Sequence, residues 1–231
     1  MALIDDLKTE VQSTFASAWA EDAATEVPAP DALRLNANHA KHLDSATVLY
    51  ADLDGSTNMV DTLSWQWAAE VYKVYLRCAS KIIKNEYGVI TAYDGDRVMA
   101  VFTGDKKNTS AVTAALKINY AVEELIRPAY AKQYSGSSFV VRHVIGIDTS
   151  ALRAARIGVV GDNDLVWIGR AANYAAKLCN ISEKPLWITK AVYDRLMDSA
   201  KISGTTNMWQ KRSWTPMNNM EIYCSTYRMS F

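Results

Sequence analysis

The chain has 231 residues, 49% of them apolar, with 25 basic and 25 acidic side chains. That is enough apolar mass for one sizeable core, which excludes a disordered chain. Zero formal charge leaves no overall electrostatic footprint for duplex nucleic acid or an anionic membrane, so a polyanionic ligand must be held locally.

In chain order, Leu7, Val11, Phe15 and Trp19 stand four apart, which predicts an amphipathic helix over residues 3 to about 24. Its start, MALIDDLKTE, is acidic and lacks the basic and apolar regions of a signal peptide, and no apolar run is long enough to span a bilayer. A cytoplasmic protein is expected. Pro28-Ala29-Pro30 breaks the helix and acts as a stiff spacer. His39 and His42 read as part of an exposed connector, not a zinc site. We therefore divide the chain into a helix and connector, 1–44, and a main domain, 45–231.

From Thr47 the elements alternate. The strand Thr47 to Leu53 is followed by a helix capped at Ser64, with Ala68, Val71, Tyr75, Ala79, Ile82 and Ile83 on one face and Gly88 past its end. Val89 to Tyr93 and Val98 to Phe102 flank Asp94-Gly95-Asp96, a strong hairpin signal. A second helix carries Ala111, Ala115, Ile118, Val122 and Leu125 inward and stops before Pro128, and Phe139 to Ile145 forms the next strand. The order βαββαβ predicts an α+β sandwich with a ferredoxin-like core, both helices lying on one face of an antiparallel sheet. Beyond it, a hairpin turns at Asp162-Asn163-Asp164, a helix runs from Arg170 to Asn180, Leu186 to Ile188 is a strand before a helix from Thr189, and a terminal hairpin carries Trp209, Trp214 and Tyr223. Cys78, Cys179 and Cys224 are odd in number, lack metal-ligand spacing and lie in apolar segments, as reduced core thiols do.

The chemistry concentrates where strands end in acids. TVLYADLDGST, residues 47–57, is an apolar run ending in Asp52 and Asp54. If its strand lies beside the 89–102 hairpin, Asp52 and Asp96 face each other and can share hard divalent cations. This predicts a two-metal site for phosphate chemistry. Gly55, Ser56 and Thr57 at the next helix start offer backbone donors to phosphates.

YADLDGST, YDGDRVMAVF and WIGRAANYAAKL, in this order and at these separations, resemble the class III nucleotidyl cyclase domain over roughly residues 45 to 195. The resemblance implies that 45–231 is the catalytic domain. It implies metal ligation by Asp52, the Leu53 carbonyl and Asp96, with two Mn2+ or Mg2+ ions, and transition-state roles for Asn173 and Lys177. It also implies a homodimer in which the carboxylates come from one subunit and the Asn173 and Lys177 pair from the other. Lys177 stands where the family has arginine, a point charge instead of a planar fork. Where adenylyl members read the base with lysine and aspartate, this chain has Ala92 and Val166, and the guanine-selective pair is absent too. Tyr50 lies on the same strand face as Asp52 and narrows the base pocket, with Arg97 a donor nearby.

That pattern resembles the bacterial pyrimidine cyclases of Pycsar anti-phage systems. The implied activity is conversion of UTP to cyclic UMP, a signal read by a separate cyclic-nucleotide-binding effector. Cyclisation of CTP, then of ATP, and a degenerate nucleotide sensor are the alternatives. An RNA-binding ferredoxin-like module is disfavoured, because the strands lack an aromatic stacking surface and a basic patch.

Overall fold

The computed structural model describes residues 2–231. The N-terminal part contains α1 (Leu3–Ala16), β1 (Ala20–Ala23) and a 3-10 turn (Pro30–Ala32); next come β2 (His39–Asp54), α2 (Ser56–Thr62) and α3 (Trp65–Asn85). The middle contains β3 (Val89–Asp94), β4 (Arg97–Phe102), α4 (Lys107–Tyr120), a π-helical segment (Ala121–Ile126), α5 (Arg127–Gln133) and β5 (Arg142–Val159). The chain finishes through β6 (Asp162–Ile168), α6 (Arg170–Leu178), β7 (Leu186–Thr189), α7 (Lys190–Tyr193), β8 (Ile202–Ser203), β9 (Thr206–Asn207), β10 (Gln210–Trp214) and β11 (Met220–Ser225).

One large sheet runs β10-β11-β7-β5-β2-β4-β3, with β1 added to β2 and β6 to β5. Its centre, β5-β2-β4-β3, is antiparallel throughout and is the ferredoxin-like arrangement the sequence predicts. Alternation along the central strands decides which face each helix covers. Leu49, Ala51, Leu53, Ile145 and Ile147 join the apolar faces of α3 and α4 in the main core. Ala46, Val48, Met99 and Leu152 point the other way and meet Ala171, Ala172 and Ala175 of α6. The alanines let α6 lie close on the sheet, and Gly146 makes the contact tighter. A Cβ on Gly146 would sit 2.1 Å from the Ala175 carbonyl oxygen. Gly146→Ala therefore forces α6 off the sheet and is expected to destabilise the fold by roughly 3 kcal/mol, read as a lower midpoint in urea at unchanged slope.

Several boundaries differ from the sequence reading, each for a physical reason. α1 ends at Ala16, so Trp19 lies beyond it, and no residue of α1 is buried. β2 is a 16-residue strand that starts at His39, so the division at residue 44 falls inside it. His39 and His42 are strand residues here, not parts of an exposed connector. His39 Nε2 lies 2.9 Å from Asp22 and His42 Nδ1 3.5 Å from Glu21, both acids being on β1.

The second long helix does not stop before Pro128. It widens into the π-helical segment and resumes as α5, because a π turn already breaks the i to i−4 ladder that proline cannot join. The widening also rotates the apolar face, leaving Leu125 52% exposed and Ile126 buried. Phe139 to Val141 precede β5, which then continues unbroken for 18 residues to Val159. Its hairpin turns at Val160-Gly161, where Gly161 takes φ 93°, and Asp162 to Asp164 belong to β6. Ser64 does cap α3, accepting from the Trp67 amide at 3.5 Å, and β10 and β11 form the expected terminal hairpin.

Candidate active site

The last residues of β2 carry the site. Ala51 and Leu53 are buried in the core while Tyr50, Asp52 and Asp54 are half-buried on the other face. Beside them, the β3-β4 hairpin closes through Gly95 and Asp96, with Gly95 at φ 59°. Asp52 and Asp96 are close enough to repel. The Asp52 carboxyl is pushed up to about 6, first by burial and then by the Asp96 charge, with Arg97 opposing. Asp54 pairs with Arg142 at 3.1 Å.

One lateral row of the sheet runs Ala92, Met99, Tyr50, Gly146, and Tyr50 and Ala92 pack in the same small cluster. The Arg97 guanidinium lies 5.3 Å from the Tyr50 ring centroid and donates to Asp94 at 2.9 Å. One end of Arg97 is therefore fixed, and its remaining N–H groups stay free. Burial raises the Tyr50 hydroxyl above its ordinary value, against the pull of Arg97. It stays protonated at neutral pH.

α6 is anchored at its start. Arg170 donates to buried Asp148 at 3.1 Å and to the Thr149 carbonyl at 2.7 Å, and the Ala171 amide donates to Ser150 Oγ at 3.0 Å. This aims Asn173 and Lys177, one turn apart, outward. Both are exposed, and Lys177 Nζ comes within 4.0 Å of Met217 Sδ. Val166 is likewise exposed, on the outer face of β6. The chain thus brings Asp52, Leu53, Asp96, Tyr50, Arg97 and Ala92 together, with Gly55, Ser56 and Thr57 at the start of α2. Neither Asn173, Lys177 nor Val166 lines the cavity at Asp52.

That cavity is about 250 Å³ and is lined by Asp52, Leu53, Asp54, Gly55, Val144, Cys179, Asn180 and Ser182. The residues after α6 were missing from the sequence reading of the site. Cys179 Sγ donates to the Tyr50 carbonyl at 3.5 Å, and burial, then the Asp52 charge, pushes its thiol up to about 12. It remains an inert thiol holding α6 to β2. Tyr75, placed only as a core residue by its helical spacing, donates its hydroxyl to the Asp52 carbonyl at 3.2 Å. Its position on the buried stripe was legible, but the polar tip on that stripe was the unused signal.

The carboxylates suit divalent cations. Asp96 Oδ2 is buried without any hydrogen-bond partner, and Asp52 ionises reluctantly beside it. A hard cation between them would satisfy the first and relieve the second. Among the described residues no third acid, histidine or cysteine joins the pair in a metal-holding group. That fits an ion bound by one or two carboxylates plus substrate phosphates, not a closed protein cage.

In outline the fold is that of class III nucleotidyl cyclase catalytic domains. The adenylyl cyclase CyaB from P. aeruginosa superposes with TM-score 0.67 at 21% identity, covering 80% of this chain and 95% of that one. The guanylate cyclase domain of RhGC from Catenaria anguillulae, solved in complex with GTP, gives TM-score 0.65 at 18% identity, covering 82% and 100%. Curated relatives are nearer. A uridylate cyclase from Burkholderia cepacia is 59% identical over 228 residues, covering 99% of both chains. One from Xanthomonas perforans is 49% identical, covering 99% of this chain and 98% of its own. This chain belongs to the uridylate cyclase family. No family model matches it, and among the described residues no helix is long and apolar enough to cross a membrane.

Proposed function

We propose that this chain cyclises UTP to 3′,5′-cyclic UMP and diphosphate in a homodimer with two composite sites, in the cytoplasm. The ribose 3′-oxygen forms a bond to the α-phosphorus, the bond from that phosphorus to the leaving diphosphate breaks, and the hydroxyl proton passes to solvent. The observation that carries this reading is the Tyr50 and Arg97 stack lying on the same sheet face as the Asp52 and Asp96 pair. Base reading and phosphate chemistry are thereby adjacent.

Asp52, Asp96 and the Leu53 carbonyl would hold two divalent cations, Mn2+ or Mg2+, which when bound acidify the hydroxyl and neutralise the triphosphate. Asn173 of the partner chain orients the ribose, and its Lys177 meets charge building on the α-phosphate. Amides from Gly55 to Thr57 support the phosphates. Ala92 offers no hydrogen bond to a base, and neither does Val166, supplied across the dimer. Tyr50 fills space a purine would need. Uracil presents an acceptor at O4, which suits donor-only Arg97, while cytosine presents a donor there. Family membership supports the same substrate. We place the product as an anti-phage signal read by a separate cyclic-nucleotide-binding effector.

Equal concentrations of all four triphosphates with Mn2+, resolved by chromatography, test this. Cyclic UMP is expected to dominate. Preferential cyclic AMP overturns the roles of Tyr50, Ala92 and Val166; preferential cyclic CMP rejects the role of Arg97; no product at all leaves a nucleotide-binding sensor. Tyr50→Phe is expected to lower discrimination between UTP and CTP roughly tenfold, the ~1.4 kcal/mol of one hydrogen bond, and Tyr50→Ala to admit purines.

A further inference from the structure

α1 is the one α-helix among the described residues that buries nothing in its own chain. Ile4, Leu7, Val11 and Phe15 fall on one side of it, and all are exposed, Phe15 at 87%. Trp19, just beyond, is half exposed. A helix of this length, about 21 Å, is marginal in water unless an apolar face is covered. Yet it is not a loose tail. Asn38 Nδ2 donates to the carbonyls of Thr14 at 3.2 Å and Ser17 at 3.0 Å, and the Ala20 amide donates to the Asn38 carbonyl at 2.8 Å. These bonds pin the end of α1 to the start of β2 and hold its stripe away from the core.

The same end of the molecule carries a second uncovered apolar surface. By register, Ile157 and Val159 of β5 share a face with Val166 and Ile168 of β6, interspersed with Arg153, Asp162 and Asp164; the four apolar residues are exposed, as is Val160 at the turn. Asn36 Nδ2 donates to the Gly158 carbonyl at 2.7 Å, tying the segment before β2 to this hairpin. Both sets of exposed apolar residues therefore lie on elements tied to the segment just before β2. The polar face of α1 carries Asp5, Asp6 and Glu10 against Lys8 alone, an acid excess that an anionic bilayer repels. A protein surface is the occupant that fits.

We propose that α1 docks through Ile4, Leu7, Val11 and Phe15 onto a second copy of this chain, making the N-terminal helix a clamp on the dimer. The inference rests on the composite-site reading, because the residues that do not meet Asp52 within one chain already call for a second copy there. A two-fold interface uses the clamp twice, so the loss of one stripe counts double.

Sedimentation equilibrium of the full chain tests it, comparing the unmodified protein with Leu7→Asp/Val11→Asp/Phe15→Asp and with Glu10→Gln on the polar face. The triple variant is expected to weaken dimerisation by about 100-fold, with turnover falling at low protein concentration and recovering at high; Glu10→Gln should match the unmodified protein. A triple variant as tightly dimeric as the unmodified chain overturns the clamp and leaves the composite site standing. A monomer that cyclises UTP at every concentration overturns both. Hydrogen exchange on the unmodified chain guards against a misfolded variant. Amides of residues 3–16 should become more protected as concentration rises through dimerisation, and concentration-independent exchange overturns the clamp. Binding to phosphatidylglycerol vesicles that the triple variant loses, with dimerisation unchanged, assigns the stripe to lipid and overturns the proposal too.

Discussion

Asp52→Asn and Asp96→Asn are each expected to lower turnover of UTP by at least roughly a thousandfold, the ~4 kcal/mol scale of a catalytic cation's contribution, while leaving the fold intact. The two carboxylates stand together with one oxygen of Asp96 unpartnered, so the native chain carries repulsion there that a neutral amide removes. The sign follows from Asp52. Its value is raised from the usual carboxylate range to about 6 by burial and by Asp96, so the folded state holds this proton more tightly than the unfolded one. Ionising Asp52 therefore costs stability above about pH 6, and the cost fades as pH falls toward about 4. Asp52→Asn should melt a few degrees higher than the unmodified protein near pH 8, and that advantage should vanish near pH 4. Mn2+ should raise the melting temperature of the unmodified chain only where the carboxylates are ionised, and should do nothing for either variant. Full turnover in both variants would remove the metal-site reading. Equal melting shifts with Mn2+ in all three proteins would move the cation elsewhere.

The features that give the sequence away are those whose chemistry is local. A strand that must bury every second residue yet ends in Asp52 and Asp54 announces itself by its alternation, and Asp-Gly fixes the position of Asp96 by turn geometry alone. For the same reason the α3 face from Ala68 to Ile83 was readable, because each of its residues is set by helical spacing and a capping serine. The misreadings concern elements held by distant partners. β5 continues past Ile145 through polar Asp148, Thr149 and Ser150, because Asp148 is satisfied by Thr189 at 2.5 Å and Arg170 at 3.1 Å, partners 22 or more residues away. Nothing in the local pattern announces such pairing. The extension of β2 back to His39 likewise depends on β1 and on Glu21 and Asp22. The π-helical turn ahead of Pro128 shows the opposite case, where a local rule predicts a stop and tertiary burial of Ile126 and Tyr130 carries the helix through. Within the site, Tyr50, Asp52 and Asp96 were legible, while Asn180 and Ser182 were not, since residues following a helix have no periodicity to place them.

Mixing an Asp52→Ala chain with an Asn173→Ala chain, each inactive alone, is expected to restore about a quarter of the unmodified specific activity. Random exchange puts half of the chains' pairings into heterodimers, and each heterodimer has one site with both Asp52 and Asn173 intact. The structural ground is that α6 seats an Ala-rich face on its own sheet and leaves Asn173 and Lys177 exposed. A rigid helix packed this closely, with Gly146 beneath it, has no room to turn these side chains inward. The converse experiment is sharper. A chain carrying Asp52→Ala and Asn173→Ala together spoils both sites of any heterodimer it enters, so a growing excess of it should drive the activity of unmodified protein toward zero. Native mass spectrometry of isotope-labelled chains would establish that exchange has occurred. If exchange is complete and no activity returns in the first mixture, or if the doubly substituted chain leaves unmodified activity untouched, then each chain holds its own complete site and the split between β2 and α6 has no catalytic meaning.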